Sequence, residues 1–356
     1  MNKPTMWVLV GLSGSGKSTI ATQIANENPN TIIVSSDAIR EELTGNYEDQ
    51  EHNEEVFKIF HDRIRKNLEN KKNVIADATN LTMKSRRAIM MKVNVLNIRK
   101  VCVIIPKPFE QCKEDNLHRE HPVPDFVLDK QIRKFQIPFK EEGFDEIIIH
   151  KFHNANAMTT GELIAKMKDF DQKNPHHTMT LENHCFNTYD LFTEKEYKAE
   201  YNMGAVLHDY GKLYCQTIDE NGIAHYYDHP SVGCYLVLEN LMEGFNKAVL
   251  DICLLINYHM MPFSWDTDKA KQRWKERFGE YKYKMLLDLT NVIKRGKCMC
   301  NRCDYDSPDN RIYVDPLTNE YYLDIETSEW DEYDDGFVHQ KEYIACCPWC
   351  GRCLGE

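Results

Sequence analysis

Two kinds of hydrophobic periodicity divide the chain. In its first part, short apolar runs alternate with stretches in which apolar residues recur every three or four positions, which predicts alternating strands and helices. The predicted strands cover 7–10, 31–35, 73–77 and 100–105, and the predicted helices follow residue 16 and cover 50–70 and 82–97. Repeated βα units predict a parallel sheet with helices on both faces and ligands at the carboxyl ends of its strands.

The pattern changes twice further along the chain. Strand signals nearly vanish over 178–296, where the apolar spacing is mostly helical, and they return over 297–356 in a tyrosine-rich segment bounded by cysteines. Residues 166–175 are rich in charge and poor in apolar side chains, which is typical of a linker. We therefore predict an α/β domain over 1–155, a linker over 156–177, an all-α domain over 178–296 and a small β domain over 297–356.

The composition is that of a soluble globular protein, with 42% hydrophobic and 28% charged residues in 356. No apolar run approaches the roughly 20 residues that span a bilayer, and no secretory signal precedes the first strand, so we predict a cytoplasmic protein without a membrane partner. The net charge of −12 argues against a broad basic surface for duplex nucleic acid but leaves room for a local basic groove. The oligomeric state stays open.

The most specific motif is the glycine-rich loop after the first predicted strand. Gly11, Lys17 and Ser18 fit the pattern G-x-x-x-x-G-K-[ST] between a strand and a helix. Such a loop brings backbone N–H groups to a triphosphate, its lysine contacts the β- and γ-phosphates, and its serine binds Mg²⁺. We predict ATP and Mg²⁺ as cofactors, bound by Gly11, Ser13, Gly14, Ser15, Gly16, Lys17, Ser18, Thr19 and, at the end of a later strand, Asp77.

Polar residues after the other strands are candidates for the acceptor side. Asp37 and Arg40 are three positions apart and share a face if their segment is helical, so the carboxylate can take a proton from an acceptor hydroxyl while the guanidinium holds an acceptor phosphate. A solvated Asp–Arg pair at a helix start would look the same. Arg119, late in a predicted helix, suits a lid that delivers a cation to the transferred group, although a surface arginine is the alternative.

Together these motifs resemble the 5′-polynucleotide kinase family of P-loop phosphotransferases, known from bacteriophage end-healing enzymes, from residue 6 to about 144. The resemblance includes the Asp77-x-Thr79-Asn80 sequence and implies that Thr79 and Asn80, like Arg40, contact the substrate. It also implies that Asp37 is the general base on a 5′-hydroxyl, and that Lys17 and Arg119 stabilise the transferred phosphate. Small-metabolite kinases share the loop, and a phage-encoded protein would act in the host cytoplasm.

A second constellation lies in the predicted all-α domain. His208 and Asp209 are adjacent, and on a helix their side chains diverge by about 100°, so both can reach one cation. Histidines on neighbouring helices, His184, His229 and His259, would complete a nitrogen and oxygen site suited to Mn²⁺, iron, cobalt or Mg²⁺. A His-Asp dipeptide alone means little, but here it continues into Gly211-Lys212.

This constellation resembles the HD superfamily of metal-dependent phosphohydrolases. The resemblance implies that His184, His208 and Asp209 bind a metal, that His229 and His259 hold a second metal or the scissile phosphate, and that Asp209 and Lys212 act in catalysis. The family closes its metal site with an aspartate on a late helix, where this chain has apolar residues in register. Asp288 is the only carboxylate nearby, and we include it as a candidate ligand.

Cysteines define the last segment, which holds seven of the chain's thirteen. Two C-x-x-C turns supply Cys300, Cys303, Cys347 and Cys350, and four thiolates bind Zn²⁺ tetrahedrally without an open position. The segment resembles a zinc ribbon, so we predict a structural zinc ion.

The two modules together suggest nucleic-acid end healing. The leading interpretation is an ATP-dependent 5′-hydroxyl polynucleotide kinase joined to a phosphatase or phosphodiesterase for 2′ or 3′ phosphate ends that uses Mn²⁺ or another divalent transition metal, with RNA favoured as the partner. Two alternatives stay open. One is a nucleoside or metabolite kinase joined to a nucleotidase, and the other is an ATP-binding nucleic-acid-binding factor with an inactive HD scaffold.

Overall fold

The computed structural model describes residues 3–47, 49, 51–174, 179–241, 248–295, 312–314, 318, 320–331 and 336–344. For residues 295, 325–331 and 336–339 only the backbone is described. Among the helices within these ranges, none combines the length and apolarity needed to cross a membrane.

The α/β region is a five-stranded sheet with helices on both faces, as predicted. Its strands are β1 (Thr5–Val10), β2 (Thr31–Ser35), β3 (Asn73–Asp77), β4 (Arg99–Ile104) and β5 (Glu146–Ile149). Its helices are α1 (Lys17–Glu27), α2 (Ser36–Thr44), α3 (Asn53–Glu69), α4 (Met83–Val93), α5 (Phe109–Leu117) and α6 (Asp125–Arg133), followed by a 3₁₀ turn at Lys140–Glu142.

All pairs in this sheet are parallel, in the order β2-β3-β1-β4-β5. The strands predicted at 31–35 and 73–77 have those bounds, whereas β5 was not predicted because a four-residue strand at a sheet edge has little periodicity of its own. Since β1 is central, its carboxyl end lies between those of β3 and β4, and the loops that follow these strands meet at one edge.

Helices dominate from residue 160 to 295, as predicted for the second region. They are α7 (Thr160–Met167), α8 (Leu181–Thr193), α9 (Ala199–Leu207), α10 (Lys212–Cys215), α11 (His229–Leu241), α12 (Ala248–Tyr258) and α13 (Asp268–Arg295). A 3₁₀ turn covers Met261–Ser264, and two strands of two residues each, β6 (Thr217–Ile218) and β7 (Ala224–His225), form a short hairpin. Three antiparallel strands follow, β8 (Ile312–Val314), β9 (Tyr321–Asp331) and β10 (Gly336–Tyr343), in the order β10-β9-β8.

The α/β and helical regions share one hydrophobic core. A single cluster of buried side chains runs from Met6 in β1 to Ile293 in α13. Polar contacts cross the same boundary: the Asn257 side chain accepts from the Ile137 backbone at 2.7 Å, and the Tyr258 hydroxyl donates to the Ile137 carbonyl at 2.9 Å. The two regions are therefore packed together along much of their length.

The predicted linker over 156–177 contains helix α7. The Thr159 hydroxyl caps this helix and exchanges hydrogen bonds with Glu162, a capping box that fixes its start. Leu163 and Met167 lie four residues apart on one face and are fully buried in the shared core. The charged residues of this helix lie on its solvent-exposed face. Its two buried apolar side chains anchor the helix in the core.

One buried ion pair joins two segments of the α/β region, the loop after β3 and the chain after α6. The Arg86 guanidinium on α4 donates to both carboxylate oxygens of Glu142, at 2.7 and 2.8 Å, and to the backbone carbonyls of Asn80, Leu81 and Gln136. Neither side chain of the pair is more than 1% exposed. The guanidinium thus holds together the loop after β3 and the segment after α6.

We expect Glu142→Gln to lower the free energy of unfolding by about 3–5 kcal/mol, because it leaves the Arg86 charge buried without its partner. Urea unfolding measures the change. The matched control is Glu69→Gln, which breaks an Arg65–Glu69 pair whose side chains are both 46% exposed and should cost less than about 1 kcal/mol. Equal small losses for both variants would contradict the prediction.

Candidate functional site

The glycine-rich loop connects β1 to α1 with two glycines in left-handed backbone conformations. Gly14 has φ of 77° and Gly16, which precedes the first turn of α1, has φ of 86°. A Cβ on Gly14 would lie 2.2 Å from the Cys112 carbonyl oxygen in α5, so a side chain there is excluded by conformation and by space. Gly14 is thus required by the packing of the loop against α5, whereas Gly16 is favoured by its left-handed backbone conformation alone.

A side chain from α6 holds this loop in place. Gln131 accepts a hydrogen bond from the Ser13 backbone N–H at 2.8 Å and donates one to the Ser13 hydroxyl at 2.9 Å. At the other end of the loop, the Gly11 N–H donates to the Thr79 carbonyl at 3.2 Å, which ties it to the chain after β3. Sequence reasoning missed Gln131, since nothing local marks a glutamine 118 residues away as a partner of the loop.

Lys17, Ser18 and Asp77, which the sequence predicts to bind the nucleotide and Mg²⁺, lie close together. The Ser18 hydroxyl donates to Asp77 at 3.0 Å, and the Lys17 ammonium donates to the Leu12 carbonyl at 2.7 Å. Burial lowers the pKa of Lys17 and raises the pKa of Asp77, and the attraction between the two charges opposes both shifts. The buried Ser15 hydroxyl has no hydrogen-bond partner among the described residues, and Thr19 lies exposed in the first turn of α1.

These residues are suited to bind a nucleoside triphosphate and its Mg²⁺. The hydroxyl and carboxylate oxygens of Ser18 and Asp77 are hard ligands, which Mg²⁺ prefers. The start of α1 presents backbone N–H groups and the positive end of the helix dipole to an anion, and Lys17 adds a positive charge. The donors present therefore match the predicted cofactors.

Asp37, Arg40 and Arg119 lie together beside this loop. Asp37 and Arg40 are in α2, where the guanidinium donates to Asp37 at 3.1 Å and to the Asn53 side chain at 2.9 Å. The Arg119 guanidinium, two residues beyond α5, is 3.9 Å from the Asp37 carboxylate. Arg40 is buried, whereas the Asp37 side chain is 55% exposed and open to an acceptor.

Asn80 differs from its predicted role as a substrate-binding residue. Its amide nitrogen donates to the Leu9 carbonyl of β1 at 2.9 Å, and the side chain is buried. Asn80 also has φ of 45°, in the left-handed region that asparagine tolerates. The structure therefore assigns Asn80 to the junction between β1 and β3. Thr79 contributes its backbone carbonyl to the same junction and keeps its side chain half-buried.

The helical region brings the four predicted histidines and Lys212 to one buried carboxylate, Asp209. One of its oxygens lies 3.3 Å from Nε2 of both His184 and His208, and the other lies 3.0 Å from Nε2 of His229 and 3.4 Å from that of His259. Two groups, His184–His208–Asp209 and Asp209–His229–His259, each have ligand atoms close enough to hold one ion. Asp209 belongs to both and is placed to bridge them.

The histidine tautomers suit metal binding. Nδ1 of His208, His229 and His259 lies 2.7–2.8 Å from the backbone carbonyl oxygen of Ala205, Tyr226 and Ile256 respectively. Because a carbonyl only accepts, each Nδ1 carries a proton and Nε2 faces the centre of the cluster, the arrangement common in metal sites. Among the described residues the buried Nε2 of His208 has no hydrogen-bond partner, although a carboxylate oxygen of Asp209 lies 3.3 Å away. These residues fit one or two divalent transition ions.

The electrostatics of the cluster are dominated by Asp209. Burial opposes its charge, but His208 and Lys212 hold the pKa of its carboxyl well below the usual range. Burial likewise works against a charged His208, yet the Asp209 carboxylate raises the pKa of that imidazole to about 10. Burial lowers the pKa of His259 to about 4, and the neighbouring His208 adds to this shift.

Gly211 and Lys212 explain the rest of the motif. A Cβ on Gly211 would lie 2.0 Å from the His229 carbonyl oxygen, so the glycine allows the chain after Asp209 to pack against the start of α11. The Lys212 ammonium donates to Gln172 at 2.8 Å and lies 2.7 Å from the Asp209 carboxylate. Gln172, in the predicted linker, is a second residue that sequence reasoning missed.

Asp288 does not join this cluster. It lies on α13, where its carboxylate accepts a hydrogen bond from the Tyr197 hydroxyl at 2.7 Å. The part of α13 that reaches the cluster presents Thr290, whose hydroxyl donates to the His259 carbonyl at 3.2 Å. The prediction of Asp288 as a ligand was thus wrong in geometry. The predicted zinc ligands Cys300, Cys303, Cys347 and Cys350 lie outside the described residues, although β8 and β9 form where strands were expected between them.

Comparison with known proteins concerns the α/β region. Residues 6–138 match a family model described as an AAA domain. An L-seryl-tRNA(Sec) kinase from Methanococcus maripaludis is 29% identical over 142 residues, which cover 39% of this chain and 55% of that protein. The chain thus spans about half the length of the curated relative it matches.

Solved structures give weaker likenesses. An RNA repair complex aligns with 49% of this chain and 55% of its own at 23% identity and a TM-score of 0.36. A fungal RNA kinase aligns with 60% of this chain and 97% of its own at 15% identity and a TM-score of 0.34. These scores are too low to carry an argument about function, and the family match and the site geometry support a P-loop kinase-like fold.

The central place of Asp209 gives a prediction for metal content. Asp209→Asn should lose most of the Mn²⁺ that the wild-type chain retains after dialysis, because the carboxylate oxygens face both candidate ion positions. Elemental analysis of dialysed protein measures this. Asp288→Asn is the matched control and should retain the wild-type amount, whereas equal losses in the two variants would restore Asp288 as a ligand.

Proposed function

We propose that the α/β region is an ATP-dependent kinase that phosphorylates 5′-hydroxyl ends of nucleic acid, with RNA favoured. The observation that carries this proposal is the position of Asp37 beside Arg119 at 3.9 Å, at the same edge of the sheet as Lys17, Ser18 and Asp77. Phosphoryl transfer depends mainly on positioning and on neutralising the transferred group. Lys17 and Arg119 supply the positive charges and Asp37 the proton acceptor.

The acceptor side of the site supports a phosphorylated substrate. The Arg40 guanidinium is buried, and its hydrogen bonds to Asp37 and Asn53 fix its orientation. In this role it binds an acceptor phosphate next to the hydroxyl that Asp37 deprotonates. The name of the Methanococcus relative describes a kinase that acts on a charged tRNA, which is consistent with an RNA-linked acceptor.

We further propose that the helical region is a metal-dependent phosphohydrolase of the HD type. Its support is the assembly of four imidazoles around Asp209, which the alternative of an inactive scaffold does not require. A divalent ion bound by these residues supplies Lewis-acid polarisation of a phosphate and acidifies a water molecule. Lys212 balances negative charge at the site while Gln172 fixes its ammonium.

Both activities on one chain suit the repair of broken nucleic acid. Ligation requires a 5′-phosphate and a free 3′-hydroxyl, and the two sites would produce one of each. We also propose that the four cysteines of the last segment hold a structural Zn²⁺. The small-metabolite alternative is tested by offering a nucleoside and gluconate as acceptors beside the oligonucleotide.

Asp37→Asn should reduce phosphoryl transfer to a 5′-hydroxyl oligoribonucleotide by about 10²–10⁴-fold, because it removes only the base. ATP affinity should stay within about twofold, since Asp37 lies on the acceptor side. Transfer from radiolabelled ATP and equilibrium binding of ATP give the two values.

The matched control for this variant is Asp62→Asn. Asp62 is paired with Lys92 and has a 56% exposed side chain, close to that of Asp37, but lies on α3. It should transfer phosphate at the wild-type rate. If Asp37→Asn also retains full transfer, the general-base role is wrong, and if wild type phosphorylates gluconate or a nucleoside but no oligonucleotide, the nucleic-acid substrate is wrong.

Asp209→Asn should abolish Mn²⁺-dependent phosphate release from oligonucleotides that end in a 3′-phosphate or a 2′,3′-cyclic phosphate. Kinase turnover should be unchanged, because the residue lies outside the nucleotide site. Lys17→Ala should show the opposite pattern and lose the kinase alone. A wild-type chain that releases no phosphate from any end with any divalent ion would refute the phosphohydrolase and favour the scaffold.

A further inference from the structure

The part of α13 before and just after Gly279, where the backbone departs from helical geometry, is a basic segment in an acidic protein. Residues 268–284 contain seven Lys or Arg and three Asp or Glu, a net charge of +4 where the whole chain has −12. The three carboxylates are engaged by other side chains: Asp268 by Lys271, Glu280 by Lys275 and Glu276 by Gln272. The positive charge of the arginines is left without a carboxylate partner in the described part of the chain.

Two of these arginines pack against a tryptophan. The guanidinium carbon of Arg277 lies 4.6 Å from the ring centroid of Trp274, and that of Arg273 lies 5.5 Å away. Trp274 stacks on Phe278 and on Trp265, which in turn stacks on Tyr283 with ring centroids 4.8 Å apart. The aromatic stack gives the arginines a rigid base, and Trp274 itself remains half-buried at its outer end.

Arg87 of α4 adds a third guanidinium to this group. Burial, together with repulsion from Arg87 and Arg273, lowers the pKa of Arg277. Two buried donors of the same group, Arg277 Nε and Trp265 Nε1, have no acceptor among the described residues. Repulsion between like charges and buried donors without acceptors both destabilise the folded protein. A bound anion would relieve both, because it accepts hydrogen bonds from the donors and neutralises the charge.

The position of this group favours a strand of nucleic acid as the anion. Arg87 lies in the first half of α4, the helix that follows β3 and Asp77, so the group borders the edge of the sheet at which the proposed kinase site lies. Guanidiniums that follow a phosphate backbone beside an aromatic ring on which a base can stack are the elements of single-strand binding. A duplex offers no free base face to Trp274.

We propose that Arg87, Arg273, Arg277 and Trp274 form a secondary site for single-stranded nucleic acid, in which the arginines contact phosphates and Trp274 stacks on a base. The site lies outside the catalytic residues and extends the acceptor side of the kinase. The proposal deepens the proposed function and rests on its nucleic-acid substrate. It explains how a chain with a strongly negative net charge can hold a polyanion.

The test uses binding without chemistry. A labelled single strand of about 12 ribonucleotides with a 5′-phosphate and a 3′-hydroxyl offers neither activity a substrate, and fluorescence anisotropy over a salt series measures its affinity. The double variant Arg273→Gln/Arg277→Gln should bind on the order of tenfold more weakly at about 0.1 M salt, and the slope of log affinity against log salt should fall by about 1.4, since single strands contribute about 0.7 per phosphate contact.

The matched control removes the same charge elsewhere. Lys166→Gln/Lys195→Gln changes two exposed lysines outside this group, and should leave both affinity and slope near wild type. Equal weakening by the control would overturn the proposal in favour of a diffuse charge effect. The melting temperature of each variant is compared with that of the wild type, to check that weaker binding does not come from unfolding.

Trp274→Leu separates stacking from charge. It should weaken single-strand binding by about tenfold while leaving the salt slope unchanged, because a base stack and not a phosphate contact is lost. A duplex of the same length that binds as tightly as the single strand, or an unaltered affinity in this variant, would overturn single-strand recognition.

The outcome is separable from that of the kinase proposal. With a nucleoside 3′-monophosphate as acceptor, Arg273→Gln/Arg277→Gln should phosphorylate at the wild-type rate, whereas its KM for a long oligonucleotide should rise. If the wild-type chain transfers no phosphate, the kinase proposal is wrong. The secondary site is still tested in that case, because the binding measurements do not depend on phosphoryl transfer.

Discussion

The buried Arg86–Glu142 pair orders the segment through which the α/β region contacts the helical region. Its guanidinium donates to backbone carbonyls of the loop after β3 and of the segment after α6. The next residue of that segment, Ile137, is hydrogen-bonded to Asn257 and Tyr258 of α12. Phe139 follows the second of these segments and stacks on Phe278 of α13. A charge buried this deeply requires its partner, so the geometry around it is tightly specified.

Helix α6 makes side-chain contacts near both proposed sites. Near its end, Gln131 holds the phosphate loop through Ser13. Two positions later the Arg133 guanidinium donates to the Tyr227 carbonyl at 3.1 Å, two residues before His229 of the proposed metal site. The proposed kinase and phosphohydrolase sites are therefore built on shared elements. The chain between the two regions includes a packed helix, α7.

Local motifs predicted which side chains of each candidate site lie close together. The phosphate loop, Asp77 and the His208–Asp209 pair lie where the spacing of the sequence indicated, because each motif fixes backbone conformation and side-chain direction over a few residues. Asn80 and Asp288 show where such reasoning ends. Both are polar residues near a predicted site, but Asn80 donates to a strand of the sheet and Asp288 accepts from Tyr197.

The sequence by itself determined the alternation of strand and helix, the phosphate loop and the identity of the clustered histidines, since these depend on periodicity and on residues close together in the chain. Only the tertiary structure decided which distant side chains support them. Gln131 and Gln172 hold the two sites from far along the chain, and the arginines of α4 and α13 meet only after folding. Contacts between residues that are remote in sequence depend on how the core packs, and no local pattern records that packing.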